Sequence, residues 1–423
     1  MSIDTALMIA PPTPEQIKTY IEGHADTAAR MVADRAKYKG EGIAILSRVM
    51  QGATKKNNKL AHDFRGKLTR TMVGYLFGKP VTYSLDRERY EKGLLTSSGQ
   101  TLSADQYERD NQELDDWRVR VDIEDLDTET AKDACNVGTA ARLCYIDADG
   151  LPNVKRVDPN ECIFLNEYEA IRYYTITGKD GKPYIHVEHY GPVYLTEYEQ
   201  DESGEFVEVV GPTAHLFGLC PLIEFPNNEE RLGVWKPVEP LIDAYDLTRS
   251  DCQNEHEEFR NAYLFGQGMI IDTETAEAAR ESGAFSSEQT DADLKFVTKN
   301  VNDAFVENHT KRLKDDIFNL ADSVDTSDEK FSGAAQTGAS RKWKLFGLET
   351  AAALKERKFN ASTRQMFRVL CTAWQTLGFT LDYRSIKWSV DRNVPVELLE
   401  EAQVQATLNG VVPTLTRLEQ ASF

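Results

Sequence analysis

The residue types that perform chemistry are all present in this chain, but their spacing gives them no joint task. His186-Val187-Glu188-His189 holds the one close histidine pair. The alternation around it predicts a strand, where residues three apart point to opposite faces, so the two rings cannot share a metal ion. Asp147-Ala148-Asp149-Gly150 opens like a calcium loop, yet it lacks the later ligands and the bidentate glutamate. Asp-Gly is a common hairpin turn, which is the better reading. Gly266-Gln267-Gly268 has no third glycine and does not open a helix, which argues against a dinucleotide site. No phosphate-binding G-x-x-x-x-G-K-S/T loop and no G-x-S-x-G nucleophile elbow occurs. His62-Asp63 and His256-Glu257 fall on predicted helices, where neighbours diverge around the axis, with no serine or cysteine nucleophile nearby. The six cysteines, Cys135, Cys144, Cys162, Cys220, Cys252 and Cys371, are scattered without a C-x-x-C pair. They read as buried thiols in a reducing compartment rather than zinc ligands or a disulfide framework. No catalytic residue, metal ligand or cofactor is expected.

Composition sharpens the exclusion. At 423 residues the chain is long enough for two or three domains. Its 41% hydrophobic and 28% charged content suits packed cores rather than disorder. Lys and Arg number 49 against 69 Asp and Glu, a formal net charge of −20. A protein that coats nucleic acid would be basic, since phosphate neutralisation supplies most of that affinity. The opening MSIDTALMIAPPTPEQ has no basic and apolar run of a signal peptide, and no segment approaches a membrane span. A soluble protein, cytosolic when made and without a membrane partner, is expected.

The elements that must position these residues follow from periodicity. Helices are predicted at Pro14–Lys39, at Lys59–Leu76 with Leu60, Phe64, Leu68, Met72 and Tyr75 on one face, at Ala104–Trp117, and at Asp127–Gly138. Val81–Tyr83 reads as a short strand. From Ala140 to Phe225 the period switches to two, predicting a layer of β-hairpins. Helix returns at Pro237, with a stripe of Leu241, Tyr245, Thr248, Cys252 and Phe259 and an acid-rich remainder. Strands at Ala262–Ile271 and Leu294–Val297 flank a short helix at Thr273–Glu281. A second stripe, Val306, Thr310, Leu313, Ile317, Leu320 and Val324, predicts another helix. Asp325–Ser340 is polar and aperiodic. Arg341–Leu377 then reads as one helix of about 37 residues, roughly 55 Å at the α-helical rise. A strand at Ile386–Val390 and a helix at Pro395–Leu408 follow.

Such an order is odd for an enzyme and suits a protein built along an axis. The long helix also carries a charge contrast. Between Arg341 and Arg368 eight basic residues stand against Glu349 and Glu356, in a chain that is otherwise acidic. Subunit contacts in an oligomer are the favoured reading of that contrast, with a phosphate-facing surface as the other.

Four stretches, in order, resemble the portal proteins of tailed bacteriophages, of the type found in long-tailed phages of Gram-positive hosts. The first runs from Asn57 to Phe64 and on through Tyr75–Tyr83. The second joins Glu169–Tyr174 to Val187–Tyr190. The third, and most specific, is His215-Leu216-Phe217-Gly218-Leu219-Cys220-Pro221-Leu222-Ile223-Glu224-Phe225-Pro226-Asn227-Asn228, followed by Pro240–Tyr245 and Ser250-Asp251. The fourth is Phe331-Ser332-Gly333, Leu345–Glu349 and Lys355–Phe359. Cys220, Pro226 and the charged start Arg341-Lys342-Trp343-Lys344 depart from the usual pattern.

The resemblance implies an α+β portal fold, assembled as a ring of about twelve subunits around a DNA channel at one capsid vertex. It implies a wing at 1–236, stem helices at 237–262 and 303–324, and a clip at 263–302. A tunnel loop at 325–340, a long helix with a return strand at 341–394, and the start of a crown at 395–423 complete it. Implied partners are double-stranded DNA, a terminase motor, a head–tail adaptor, and the major capsid and scaffolding proteins. The implied place is the virion's portal vertex, after assembly in the host cytoplasm. Stem positions Asp243, Asp246, Glu257, Glu258, Lys311 and Lys314 are singled out; the acidic ones, facing a channel, would repel a duplex and let it slide. Lys330, Ser332, Gly333, Gln336, Thr337 and Gly338 would form the loop touching DNA. Arg341, Lys342, Lys344 and Arg357 would make subunit contacts. The alternative from another class is a phage DNA-processing enzyme, a metal-dependent nuclease.

Overall fold

The computed structural model describes residues 10–50, 56–178, 181–259, 263–267, 272–283, 293–297, 303–325, 343–394 and 407. In chain order these form helices α1 (Pro14–Tyr38) and α2 (Phe64–Phe77), strand β1 (Thr82–Leu85), and helices α3 (Arg87–Glu91), α4 (Ala104–Arg120) and α5 (Ile123–Val137). Eight strands follow: β2 (Thr139–Ile146), β3 (Pro152–Val157), β4 (Cys162–Phe164), β5 (Ala170–Thr177), β6 (Pro183–Tyr190), β7 (Tyr194–Gln200), β8 (Phe206–Ala214) and β9 (Leu222–Pro226). Then come α6 (Glu239–Phe259), β10 (Tyr263–Gln267), α7 (Thr273–Ser282), β11 (Asp293–Val297), α8 (Asp303–Leu320), α9 (Phe346–Thr376) and β12 (Ile386–Ser389). Helix and antiparallel strand mix in one chain, the α+β class.

Packing separates two units. One holds residues 1–35, 67–234 and 323–423, the other 36–66 and 235–322. The first is built on α9, whose Leu348, Ala352, Phe359, Met366, Phe367, Leu370 and Trp374 are buried in a cluster with Met72 and Leu76 of α2, Tyr83 of β1 and Trp117 of α4. That apolar seam repeats every three to four residues, so one face of a long helix supplies most of a core. Strand β12 returns to pair antiparallel with β1, from Thr82↔Ser389 to Leu85↔Ile386.

The β layer is two sheets. A three-stranded sheet runs β3-β2-β9 and a five-stranded one β4-β5-β6-β7-β8, antiparallel throughout. Strand β2 is buried on both faces over Thr139–Cys144, because α5 and α9 cover one side and Ala141 and Leu143 pack with Cys162, Ala170 and Tyr190 on the other. Helix α1 seals the larger sheet, inserting Ile17 among Ile171, Val187, Tyr198 and Phe206.

Most predicted elements fall within a turn of their expected ends. The second helix departs further, starting at Phe64 instead of Lys59. Asp63 is the reason: its carboxylate accepts the Gly66 N–H at 2.9 Å, an N-cap that begins the helix there. The helix at 303–324 stops at Leu320, with Asp322 at φ +48°, so Val324 lies beyond it. The long helix is 31 residues, about 47 Å at the α-helical rise. Of the helix expected at Pro395–Leu408, only residue 407 is described, and it is helical.

Candidate functional site

The second unit pairs α6 with α8, and between them in sequence come the β10–β11 antiparallel ribbon and α7. The apolar stripe expected on α6, Leu241, Tyr245, Thr248 and Cys252, is only half-buried. Its buried stripe is Ile242, Asp246, Ser250 and Asn254, one position every four residues and polar after the first.

The residues before α2 explain that polarity. Asn254 Oδ1 accepts the Asn58 N–H at 2.7 Å, Ser250 Oγ accepts that of Leu60 at 3.0 Å, and Asp246 Oδ1 accepts that of His62 at 3.0 Å. Amides two apart on a non-helical segment meet side chains four apart on a helix, running in opposite directions. The period of two is that of an extended chain. Each rung satisfies a backbone donor that no helix or sheet serves. The His62 ring adds a further bond to Asp246 Oδ1 at 2.8 Å and meets Tyr245 edge-on. Burial pushes the Asp246 carboxyl above its ordinary range, against the bonds from His62.

Most other carboxylates of α6 are engaged by side chains. Arg65, itself buried and stacked on Trp235, donates to Asp243 at 2.7 Å. Glu239 takes Lys37 at 2.6 Å and Lys236 at 2.9 Å, and Asp251 takes Arg48. Glu257 accepts from Gln253 at 3.1 Å. Of the stem residues singled out, Asp246 is therefore an interior group, Asp243 is half-exposed and paired, and Glu257 is half-buried. Glu258 lies on α6, its side chain outside the described residues. Lys311 is exposed on α8, in a Glu307-Lys311-Asp315 row of alternating sign, and Lys314 is half-buried.

Residues 326–342, with Lys330, Ser332, Gly333, Gln336, Thr337, Gly338, Arg341 and Lys342, lie outside the described residues. Lys344 is half-buried and Arg357 exposed. Two lysines of α9 are paired within the first unit. Lys355 Nζ donates to Asn227 Oδ1 at 2.7 Å, and Lys358 pairs with Glu229.

Asn227 and Asn228, which end the most specific stretch, make a lock within the first unit. Both side chains donate to the Leu232 carbonyl, at 2.6 and 3.0 Å, and Asn228 Oδ1 accepts the Leu232 N–H at 2.9 Å. The loop so held presses on Gly138, at φ +98°, where a Cβ would lie 2.0 Å from the Arg231 oxygen. A side chain has no room there.

The β6 histidines serve separate neighbours. The His186 ring packs near Tyr174 and lies 3.5 and 3.4 Å from Glu197 and Glu199, while His189 faces Glu169 at 3.3 Å. Among the described residues no group of three or more His, Cys, Asp or Glu is placed to hold a metal ion, and no helix is long and apolar enough to cross a membrane. Five of the six cysteines are buried, and burial raises their thiol pKa values. The polar ladder on α6 carries no apolar periodicity. An i, i+4 row of Asp, Ser and Asn is its only sequence signal.

Over residues 17–423 the chain matches the family described as phage portal protein, SPP1 Gp6-like. The chain belongs to that family. The portal protein of Clostridium phage phiCD119 is 21% identical over 439 aligned residues, which cover 95% of this chain and 90% of the relative. The portal protein of Bacillus phage SPP1 is 26% identical over 336 residues, 74% of this chain and 62% of that relative's length. The portal family is a structural one, which supports a role without catalysis.

Proposed function

We propose that this portal chain forms a closed ring of about twelve copies at one capsid vertex, a conduit for double-stranded DNA during packaging and ejection. The observation that carries the proposal is the family match, which runs almost end to end. The helix, insertion, helix and long-helix order supports it. In this reading α6 and α8 are the stem, 263–302 the clip, and 325–340 the tunnel loop. The first unit supplies the wing and 395–423 begins the crown, while 36–66, expected with the wing, shares a unit with the stem helices. The clip would dock the terminase motor and later the head–tail adaptor. Along α6 the carboxylates occupy Lys37, Arg48 and Arg65, so those cations are not left for a duplex to grip, which suits sliding.

Native mass spectrometry of the purified chain, with negative-stain images, tests this. Particles near twelve copies with a central hole are expected. A monomer or dimer at every salt concentration overturns it.

A further inference from the structure

Helix α9 is buried along one face and open along the other. Leu354, Arg357, Ala361, Arg364 and Arg368 follow at intervals of three or four, and all are exposed. They form one stripe, apolar where it starts and basic where it ends. Helix α4 carries the opposite arrangement. Asp105, Glu108, Gln112, Asp116 and Val119 are exposed on one stripe, acidic first and apolar last, with Val119 83% exposed.

The inward faces of these helices meet each other. The Trp117 ring lies edge-on to Phe367 and Trp374, at 5.5 and 5.8 Å, and Trp374 Nε1 donates to Glu113 Oε1 at 2.9 Å. The outward stripes therefore look away from one another, and this fold cannot bring them together within one chain. A second copy can.

We infer that the α9 stripe of one subunit docks antiparallel on the α4 stripe of its neighbour. Leu354 to Arg368 and Asp105 to Val119 are each fourteen residues apart, about 21 Å of helix. Set antiparallel, Arg368 falls against Asp105, Arg364 against Glu108, Arg357 against Asp116 and Leu354 against Val119. Ala361 and Gln112 meet between them, small enough on one side for close approach. A parallel setting would put Leu354 on Asp105 and Arg368 on Val119, matching nothing. Local contacts do not neutralise the charges: Asp116 Oδ1 accepts from the uncharged Gln112 amide at 2.8 Å. Arg364 and Arg368 stack over Trp388 and Tyr383 at 5.8 and 5.7 Å, which steadies the guanidinium planes while their edges can still donate. Arg109, beside Glu108, is turned to the Gly378 carbonyl at 2.8 Å. Two different patches on one molecule make a head-to-tail contact, which closes only as a ring or runs on as a filament. The inference rests on the ring reading above and adds the faces that join.

Two charge-reversed chains test it, R357E/R364E/R368E and D105K/E108K/D116K, with folding checked by circular dichroism and assembly by native mass spectrometry. Each alone is expected to lose at least tenfold of its rings. Mixed one to one they should regain them, alternating around the ring and so with an even number of subunits, because each variant's faces then meet the opposite sign. Rings from either variant alone at the wild-type level, or no recovery on mixing, overturn the inference while the ring itself stands. A wild-type chain that never forms rings overturns the underlying reading instead.

Discussion

Asp246 holds His62 twice, accepting its backbone N–H at 3.0 Å and its ring nitrogen at 2.8 Å through the same carboxylate oxygen. A helix side chain thereby fixes both the path and the ring of a residue 184 positions earlier. With Ser250 and Asn254 it turns a stretch that would otherwise leave its amides bare into part of the second unit.

Asp246→Ala removes the acceptor and strands the His62 N–H. The expected loss is about 1–3 kcal/mol, the cost of a buried donor left unmade. Asp246→Asn keeps an oxygen in place and should lose less than half as much. Urea midpoints of the two variants against the parent decide it, and equal losses would mean the acceptor does not matter.

Arg142 is fully buried, with Asp127 at 2.7 Å, Thr130 at 2.8 Å and the faces of Phe225 and Phe359 around it. Arg142→Leu leaves Asp127 buried without its cation, for a loss of roughly 3–5 kcal/mol. Tyr83→Phe, which removes one of the remaining bonds to Asp127, should cost about 1 kcal/mol. Denaturant unfolding should rank them in that order.

Gly138 and Gly99 both have positive φ, +98° and +85°, but only Gly138 is crowded, by the Arg231 backbone. Alanine at Gly99 should cost the left-handed strain alone, about 1–2 kcal/mol. Alanine at Gly138 must also displace the loop locked by Asn227 and Asn228, adding roughly 1–3 kcal/mol. Matched melting curves would show whether the second loss exceeds the first.

Burial holds the His24, His189 and His215 rings below their ordinary pKa, with Glu169 partly opposing it at His189. A depressed folded pKa means the unfolded chain takes up the proton first. Their contribution is fully present above about pH 6.5 and is lost as pH falls through the folded values. Carboxyls raised by burial, such as Asp133 and Glu161, act in the opposite sense. The slope of stability between pH 7.5 and 5.5 should therefore flatten in His24→Gln and His215→Gln, by at most about 1.4 kcal/mol per pH unit for each proton. Calorimetric melts across that range test it, and unchanged slopes would remove the histidines from the account.

Much of the fold was legible because its signals are periodic. The α9 seam repeats Leu348, Ala352, Phe359 and Met366 at helical spacing, and the β layer alternates, so element types and order followed directly. The pairing of β12 with β1 was less accessible, since two four-residue strands so far apart in sequence carry no register of their own. The α6 interior is not legible in its apolar pattern, for a physical reason. Its buried face is chosen by bonds to Asn58, Leu60 and His62, and hydrogen bonding of that kind leaves no apolar stripe. Parts of two of the stretches that marked the family are locks of this sort: Asn57–Phe64 against Ser250 and its neighbours, and Asn227-Asn228 in the loop against Gly138. They were recognisable as words before their grammar was known.

The ladder between the 58–62 segment and α6 works as a vernier. Two extended residues advance about 6.6 Å, while four helical residues advance 6.0 Å, so each rung drifts by roughly 0.6 Å against the next. Over the two intervals from Asn58 to His62 the drift is about 1.2 Å, and the three bonds remain between 2.7 and 3.0 Å. Further rungs would soon fall out of reach. A strap of this kind is self-limiting: it grips α6 over Asp246–Asn254 and leaves the later turns of that helix to other contacts.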